Sequence, residues 1–332
     1  MPVVSTPVVS SQTSDAGKQT VDLSVVIVSY NTRDILDACL ASLAQPDSAS
    51  RRPDPELIVV DNASSDGSVA MVRSCYRRVR VIEMGENAGF ARASNQGLRA
   101  SSGRFVLLLN SDTVVHGGAQ ANMVSFMDEH PEFAAAGPLL LNSDGSVQTS
   151  CFAFTTVRDI LFESLGLTAL FPYSPVFNRR GMGGFDRTTV RAVDWVSGAC
   201  LMARRRVIEQ VGLLDEGFFM YGEELDWCYR MRQAGLRVAF FPGARVIHYG
   251  RGSSARTRGD IAPRALAGRL RYFRKHHGPG AALAVRLLTI VGAALRLLTL
   301  PLLAVVRRGD LRADFDWNVG LLRGAMSRER HG

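Results

Sequence analysis

In the first 115 residues, apolar runs long enough for buried strands alternate with segments whose apolar residues recur at helical spacing. The runs typical of strands are 23–31, 56–61, 78–87 and 104–112. Strands that alternate with short helices indicate βαβ units. The order therefore predicts an α/β fold with a mainly parallel sheet flanked by helices, and 332 residues with 46% hydrophobic content suffice for its core.

Three of these runs end on polar clusters, which are Ser29-Tyr30-Asn31, Asp61-Asn62 and Asn110-Ser111-Asp112. Open α/β sheets bind ligands at their carboxyl edge, so we expect one site there. Asp112 offers the hard oxygen ligand that Mg²⁺ or Mn²⁺ prefers. The alternative is that each cluster is a polar turn, as when Asp66 and Ser68 cap the helix after Asp61.

The segment ENAGFARASNQG places Asn87, Arg92 and Asn95 around the start of a helix. Backbone N–H groups at a helix start, together with an arginine, suit a diphosphate. The segment lacks the G-x-G-x-x-G pattern of dinucleotide-binding folds. Alone, the segment indicates a diphosphate and does not identify the molecule that carries it.

Three acids lie within four positions in FMYGEELDWCYR: Glu223, Glu224 and Asp226. On one helix they cannot all point the same way, so we expect different roles. One could be a general base, which must reach the acceptor hydroxyl. The alternative is an acidic helix start that favours the helix dipole. His248 ends a later apolar run beside a glycine-rich basic loop, where it is either structural or part of the site.

Seven segments occur in an order that resembles family 2 glycosyltransferases of the GT-A fold, most closely the bacterial rhamnosyltransferase-like branch. They are VVIVSYN, VVDNASSDGS, NAGFARASNQG, LLLNSDT, DWVSGACLMARR, GFFMYGEELDWCYR and VIHYGRGSS. The resemblance covers about residues 23 to 255. It implies a nucleotide-diphosphate sugar donor, a divalent cation (Mg²⁺ or Mn²⁺) and an inverting displacement.

The resemblance also assigns roles to residues. Asp61 matches the acid that contacts the donor base, Asp112 the last acid of the metal-binding DxD, and Glu224 the general base. His248 matches a histidine that helps to hold the metal or the diphosphate. The predicted donor-binding residues are Ser29, Tyr30, Asn31, Asp61, Asn87, Arg92, Asn95, Ser111 and Asp112, and the predicted acceptor-side residues are Trp195, Gly198, Glu223 and Asp226. The chain departs from the family pattern at Asn110-Ser111-Asp112, where one carboxylate is missing, and at Glu223-Glu224, where Glu-Asp is expected.

The basic residues are concentrated near the C-terminus: between Arg245 and Arg308 there are thirteen Arg or Lys and one acid. Within this region, residues 280 to 308 are almost all apolar, with Arg286 and Arg296 inside the run. A membrane-spanning helix needs about 20 apolar residues. Because arginines interrupt this one, we favour a helix in the membrane interface whose arginines reach lipid phosphates. The alternative is a helical pair packed on the domain itself.

These observations divide the chain into a flexible leader (1–21), a GT-A domain (22–255) and a basic, apolar helical segment (256–332). The predicted function is transfer of a sugar, rhamnose by resemblance, to a lipid-linked or glycan acceptor at the cytoplasmic face of the bacterial inner membrane. The same fold with a galactofuranose, glucose or N-acetylhexosamine donor is the alternative.

Two further classes stay open on the residues alone. A nucleotidyltransferase or NAD-linked oxidoreductase would share the α/β alternation, but this sequence lacks the dinucleotide-binding fingerprint. A nucleic-acid-binding protein would use the basic region. Those basic residues lie beside an apolar stretch rather than among exposed aromatics, which favours lipid and predicts no nucleic-acid partner.

Overall fold

The computed structural model describes residues 21–44, 54–250, 258–306 and 311–327. The first part alternates as the sequence predicts: β1 (Leu23–Ser29), α1 (Arg33–Leu43), β2 (Glu56–Asp61), α2 (Ser68–Cys75), β3 (Arg80–Glu83), α3 (Phe90–Ala100) and β4 (Phe105–Asn110). Residues 1–20 of the predicted leader lie outside the described residues.

After β4 the described residues form eight further strands and seven further helices. They are β5 (Thr113–Val115), α4 (Ala119–Glu129), β6 (Phe133–Leu141), β7 (Val147–Gln148), β8 (Cys151–Phe152), α5 (Val157–Ser164), α6 (Leu167–Leu170), β9 (Arg191–Val193), β10 (Trp195–Val196), β11 (Cys200–Arg204), α7 (Arg205–Val211), α8 (Glu223–Gln233), β12 (Arg237–His248), α9 (Arg258–Val306) and α10 (Leu311–Met326). Residues 172–189, predicted as a loop, contain neither helix nor strand.

The main sheet has the strand order β3-β2-β1-β4-β11-β6-β12-β5, with β7 on β6 and β9 on β12. Pairing is parallel from β3 to β4, as predicted. Beyond β4 the sheet is mixed, because β11 runs antiparallel to both β4 and β6. The α/β class is confirmed, with the parallel part confined to the four strands that carry the predicted site and to the pairing of β6 with β12.

The central strands are buried on both faces, which explains their continuous apolar sequences. Val26, Val60 and Leu108 face a layer that contains α3 and α8. Val25, Val59 and Leu107 face the opposite layer, formed by α1, α2 and α4. Burial on both faces leaves the strand ends as the place where polar side chains can meet a ligand.

Helix α9 is the one helix among the described residues long and apolar enough to cross a membrane. It bends at Gly278, whose φ of 85° is not helical. One face of α9 packs on the protein, because Ser164 of α5 donates to the Leu288 carbonyl (2.8 Å) and Arg286 to that of Ala325 in α10 (2.7 Å). The predicted alternative, a helical pair packed on the domain, describes this face.

The same contacts correct one expectation. Arg286 and Arg296 do not extend toward solvent: Arg286 donates to carbonyls of α10 and the residue after it, and Arg296 to the Glu163 carbonyl (2.7 Å). Both heads therefore satisfy protein acceptors rather than lipid phosphates. Arg307 and Arg308, which the sequence predicts as a basic flank, lie outside the described residues.

Candidate active site

The carboxyl ends of β1, β2 and β4 meet at one edge of the sheet, and their polar side chains lie together there. Asp61 is 3% exposed and Asp112 is 5% exposed. The Ser29 hydroxyl lies 3.0 Å from that of Thr32, which donates to the Ser111 hydroxyl (3.2 Å). This buried hydroxyl chain ties the end of β1 to the loop after β4, as the predicted single site requires.

One carboxylate oxygen of Asp61 accepts a hydrogen bond, and the other has no partner among the described residues. Oδ2 accepts the Ser64 N–H (2.9 Å), whereas Oδ1 is buried and unpaired among the described residues. A buried acceptor without a donor costs about 1–3 kcal/mol. A ligand N–H or O–H at this edge would recover that cost, which fits the predicted contact with a donor base or ribose.

The loops after β1 and β2 are joined by side chains. Asn31 adopts a φ of 53° and its Oδ1 accepts the Ser65 N–H (2.8 Å). Asp66 accepts the N–H of Arg33 and that of Ser68, which begin α1 and α2. Asp66 therefore accepts the first N–H of each helix, although the N-cap positions are occupied by Thr32 and Gly67. Asn31 fixes the loop that carries the half-buried Tyr30.

Asp112 and His248 are brought together by strand pairing, because β5 and β12 place His248 opposite Thr113. His248 Nε2 lies 3.3 Å from Asp112 Oδ1. The other ring nitrogen, Nδ1, lies 2.7 Å from Gln148 Oε1, and Gln148 Nε2 donates to Asn142 Oδ1 (2.8 Å). Because the amide oxygen can only accept, Nδ1 carries a hydrogen in this arrangement.

Asp112 and His248 are placed where they could supply two of the ligands of a cation. A metal-binding histidine commonly donates its second N–H to an oxygen, which fixes the tautomer. Here that leaves Nε2 facing the Asp112 carboxylate. The described residues contain no group of three or more His, Cys, Asp and Glu side chains placed to hold a metal. Asp112 and His248 would supply two ligands, and phosphate oxygens and water would supply the rest, as is usual for magnesium.

Glu224 lies in the first turn of α8, after Gly222 with a φ of 99°. Its Oε2 accepts the Gly222 N–H (3.2 Å), and a Cβ on Gly198 would lie 3.5 Å from the Glu224 side chain. Burial raises the pKa of the Glu224 carboxyl, although backbone N–H groups of Gly222 and Gly198 favour its charged form. Gly198 therefore lies directly beside the Glu224 side chain, at a distance where a Cβ would make ordinary van der Waals contact.

Glu223 differs from its neighbour although the two are adjacent. It is 5% exposed, and its Oε2 has no partner among the described residues. Burial, and then the Glu224 carboxylate, raises the pKa of Glu223 well above its ordinary value. Of this pair, Glu224 has backbone donors that favour its charged form, whereas burial and the neighbouring carboxylate both favour the protonated form of Glu223.

The acidic pair and the Asp112 loop belong to the same edge of the sheet. Ala199 accepts the Asn110 N–H (3.0 Å), and Asn110 is two residues before Asp112. Ala199 also directly follows Gly198, which borders Glu224. Trp195 stacks on Phe152 with ring centroids 4.2 Å apart, and its indole N–H donates to the Ala153 carbonyl (3.2 Å). These contacts fix the position of the ring, and the acceptor-side role of Trp195 stays a prediction.

Asn95 and Asp226 have every polar atom or charge engaged by the protein. The Asn95 amide donates to the Leu214 carbonyl (2.9 Å) and accepts the Leu214 N–H (3.0 Å). Asp226 is fully buried and paired with Arg230, Lys275 and His276. These protein partners favour structural roles for both side chains, and their predicted donor and acceptor contacts stay predictions.

Asn87 and Arg92, two of the predicted donor-binding residues, both contact other residues of the protein. Asn87 Oδ1 accepts from the Asn62 amide (3.0 Å) and from the Gly89 N–H (3.2 Å), so it orders the loop before α3. Arg92 is half exposed and pairs with Glu86 (3.3 Å) across solvent. Such a pair is weak enough for a phosphate to replace it. The contact of Arg92 with the donor stays a prediction.

A cavity of about 580 Å³ lies at the opposite, amino edge of the sheet, bordered by Leu23, Leu57 and Val79. Its rim includes Ala44 and Asp54, which flank residues 45–53 outside the described part of the chain. It contains none of the predicted site residues.

The comparisons with known proteins identify the family. The glycosyl transferase family 2 model matches residues 24–162, and the glycosyl transferase family group 2 model matches residues 105–306. Residues outside the second match are mainly the first strands, which the first match covers. The chain belongs to the family 2 glycosyltransferases.

Two relatives and one solved structure are similar to this chain over most of its length. The chain is 30% identical to the N-acetylglucosaminyl-diphospho-decaprenol L-rhamnosyltransferase of Mycobacterium tuberculosis, over 70% of this chain and 78% of that protein. It is 25% identical to the rhamnosyltransferase WbbL of Escherichia coli, over 68% and 82% of the two chains. The mannosyltransferase PcManGT from Pyrobaculum calidifontis, solved with GDP-Man and Mn²⁺, aligns over 91% of this chain and 85% of its own with a TM-score of 0.55 at 16% identity, which shows the GT-A fold.

Proposed function

We propose that this glycosyltransferase moves rhamnose, with inversion, from a nucleoside-diphosphate donor to a hydroxyl of a lipid-linked acceptor in the assembly of a cell-surface glycan. The observation that carries the proposal is the convergence of Asp61, Asp112 with His248, and Glu224 at one sheet edge. The names of the mycobacterial and E. coli relatives support the sugar and the acceptor class. The family assignment decides against a nucleotidyltransferase or oxidoreductase.

In this proposal each group has one task. The unpaired Asp61 oxygen accepts from the nucleoside, and the Asp112 loop lies beside the diphosphate. A divalent cation held by Asp112 and His248 would neutralise charge on the diphosphate. Glu224 takes the proton of the acceptor hydroxyl as that oxygen bonds to the anomeric carbon. The bond from that carbon to the diphosphate oxygen breaks, and the nucleoside diphosphate leaves from the opposite face.

A panel of nucleotide sugars tests the proposed donor. With Mn²⁺ or Mg²⁺ present, a rhamnose nucleotide should raise the melting temperature by a few degrees, because a ligand at about a hundred times its Kd stabilises the fold by about 2.7 kcal/mol. Slow release of nucleoside diphosphate should accompany it. If only a different sugar nucleotide raises the melting temperature, that nucleotide is the donor and the rhamnose nucleotide is not. A product with retained anomeric configuration would contradict the displacement.

Gln148 supplies a test of the cation. Gln148→Leu removes the acceptor that fixes His248 Nδ1–H, so we expect activation by Mn²⁺ to require about 10- to 100-fold more metal. Gln148→Glu keeps an acceptor oxygen at the same reach and should retain most of the affinity. The measurement is transfer rate against free Mn²⁺. Equal metal dependence in the parent and Gln148→Leu would remove His248 from the cation site.

We also propose that α9 rests on the membrane through its outer face. Five large apolar side chains on that face are 42 to 75% exposed: Leu283, Leu287, Val291, Leu295 and Leu298. Their spacing of three and four residues puts them on one side of the helix. The opposite side is buried against the protein, as at Val285 and Ala293. An exposed apolar stripe of this length is typical of a membrane or partner surface.

Three basic residues of α9 are engaged by acids of the protein. Arg271 pairs with Asp215 (2.9 Å), Lys275 pairs with Asp215 and Asp226, and Arg269 faces Glu163 (3.4 Å). We therefore propose a lipid rather than a nucleic-acid partner, at the cytoplasmic face of the membrane.

Changing two exposed residues of this face tests membrane binding. The double variant Leu287→Glu, Val291→Glu should bind vesicles of phosphatidylglycerol at least tenfold more weakly, because each buried Leu or Val contributes about 1.5–3 kcal/mol. Flotation with vesicles measures the effect. Val190→Glu, at a residue 45% exposed and outside the helix, is the control. If the double variant floats like the parent, this face does not contact lipid.

A further inference from the structure

Three arginines from two separate parts of the chain gather around one carboxylate, that of Glu163 in the last turn of α5. Both terminal nitrogens of Arg269 lie 3.4 Å from Glu163 Oε1. Arg296 donates to the Glu163 carbonyl (2.7 Å) and to Asn318 Oδ1 (3.3 Å). Arg180 lies close enough for its charge to act on the same carboxylate. We call Arg180, Arg269 and Arg296 the arginine cluster.

The cluster carries more positive charge than its surroundings neutralise. Three guanidinium groups share one nearby carboxylate, which leaves an excess of two positive charges. The adjacent Asp159 is already engaged by Arg179 (2.7 Å) and by the start of α5. Burial would raise the pKa of Glu163, but Arg269, Arg180 and Arg296 hold it below its ordinary value. An anion is the partner that such an excess would bind.

Arg180 is the member with unused capacity. Its guanidinium forms no hydrogen bond within the described ranges, whereas Arg269 and Arg296 have protein acceptors. It is half-buried rather than fully enclosed, and Arg269 and Glu163 are 24% and 32% exposed. The cluster is thus partly desolvated and still open to a ligand. Its donors are therefore available to an anion without loss of a contact among the described residues.

Two contacts place the cluster beside the candidate active site. Gly268, which precedes Arg269, packs so closely on the Tyr221 carbonyl that a Cβ would overlap it, and Tyr221 lies three residues before Glu224. On the other side, Arg180 and Trp195 share Ala153: the Ala153 N–H donates to the Arg180 carbonyl (3.0 Å), and its carbonyl accepts from Trp195. An anion at the cluster would lie beyond the acceptor side of the site.

Apolar surface continues from the cluster. Leu295, next to Arg296 in the chain, belongs to the exposed face of α9 and is 42% exposed. On the α5 side, Leu165 follows Glu163 by two residues and is 52% exposed. A phosphate at the cluster would therefore have an apolar surface on one side and the general base on the other.

We propose that the arginine cluster binds the diphosphate of a lipid-linked acceptor, with the lipid chain along the exposed face of α9 and the sugar toward Glu224. This rests on the proposed function. A phospholipid headgroup offers the same phosphate chemistry to the same arginines. The order of active site, cluster and apolar face favours the acceptor, since its sugar, diphosphate and lipid occur in that order.

The test compares two acceptors with the full chain. One is N-acetylglucosamine linked through diphosphate to a short isoprenoid chain, and the other is octyl N-acetylglucosaminide, which lacks phosphate. Arg180→Gln should raise KM for the first acceptor about tenfold or more with kcat little changed, since a charge-assisted hydrogen bond is lost. KM for the second should stay within about twofold. Arg269→Gln should act in the same direction.

Arg158→Gln is the matched control, because Arg158 is exposed, lies on the same helix as Glu163 and stands outside the cluster. Glu163→Gln removes the internal counterion and should lower KM for the diphosphate acceptor. Thermal unfolding of each variant confirms that it folds.

Equal changes on both acceptors, or no change in Arg180→Gln and Arg269→Gln, would overturn the proposal. So would weaker flotation of Arg180→Gln with phosphatidylglycerol vesicles combined with unchanged KM, which would assign the cluster to headgroups. A parent protein that releases no nucleoside diphosphate and transfers to neither acceptor would contradict the proposed function instead.

Discussion

Replacing Glu224 by Gln is expected to lower sugar transfer by a factor on the order of 10² to 10⁴, the usual contribution of a general base. The amide keeps the size of the side chain and its place beside Gly198 and Gly222, so donor binding should stay close to that of the parent. Single-turnover transfer and the donor-induced shift in melting temperature measure the two quantities separately.

Glu223→Gln is the matched control, one residue away. Because burial and the Glu224 carboxylate favour the protonated form of Glu223, whose Oε2 has no partner among the described residues, an amide at this position resembles that form. We expect transfer to remain within about tenfold of the parent. If Glu223→Gln abolishes transfer and Glu224→Gln does not, the roles of the two residues are exchanged.

The pH dependence gives the same assignment an independent check. Glu224 must be ionised to act as a base, and burial raises its pKa. Transfer should therefore rise with pH through an apparent pKa above 4.5, which belongs to the coupled pair. For stability the sign is opposite. Glu223 has a folded pKa above its unfolded value, so its contribution is present below about pH 4.5 and is lost as pH rises. Glu223→Gln should gain stability relative to the parent over that range.

The strand ends were predictable because their positions follow from repeating local patterns. Apolar runs set β1, β2 and β4, and parallel strands with the same connection bring their last residues to one edge. Asp61 and Asp112 therefore come together without any knowledge of distant contacts. His248 was less certain from its own segment, since its neighbour Thr113 is fixed only by the antiparallel pairing of β5 with β12.

Residues whose partners are remote in sequence could not be assigned in this way. Asn95 lies in a segment that suits a diphosphate, but its amide is used by Leu214, 119 positions later. Gln148 was missed because a two-residue strand has no periodicity, and its importance follows only from the position of His248, 100 residues away. A local pattern shows which groups are available and does not show which are already satisfied.

Helix α9 contains a feature that local sequence predicts and two side chains whose partners it does not predict. The outer apolar face could be predicted from its spacing, because Leu283, Leu287, Val291 and Leu295 recur every four residues. The hydrogen-bond partners of Arg286 and Arg296 could not be predicted, since the carbonyls that accept from them lie on α10, on the residue after it and on α5. Arginine beside leucine is compatible with lipid and with a protein acceptor, and only the fold decides.

Asp226 joins α8 to α9, and among Glu223, Glu224 and Asp226 its loss should lower the stability most. Its carboxylate is 0% exposed and accepts from Lys275 (2.7 Å), His276 (2.7 Å) and Arg230 (2.9 Å). Lys275 and His276 belong to α9, and Arg230 belongs to α8. The one carboxylate therefore holds two helices together.

Asp226→Asn should destabilise the protein by about 3–5 kcal/mol, because removing one member of a buried ion pair leaves its partners uncompensated. The amide keeps the volume, so the loss is one of charge rather than packing. Unfolding in urea followed by circular dichroism measures it. Glu83→Gln is the control, since the pair of Glu83 with Arg73 is about half exposed, and exposed pairs contribute about 0–1 kcal/mol.

The same variant separates structure from catalysis. If Asp226 only docks α9, Asp226→Asn should keep donor hydrolysis at low temperature, where the fold persists, while binding to phosphatidylglycerol vesicles and transfer to a lipid-linked acceptor decline together. Limited proteolysis should cut α9 sooner than in the parent. Unfolding at the parent's urea midpoint, with transfer nevertheless lost, would return Asp226 to the acceptor side of the active site.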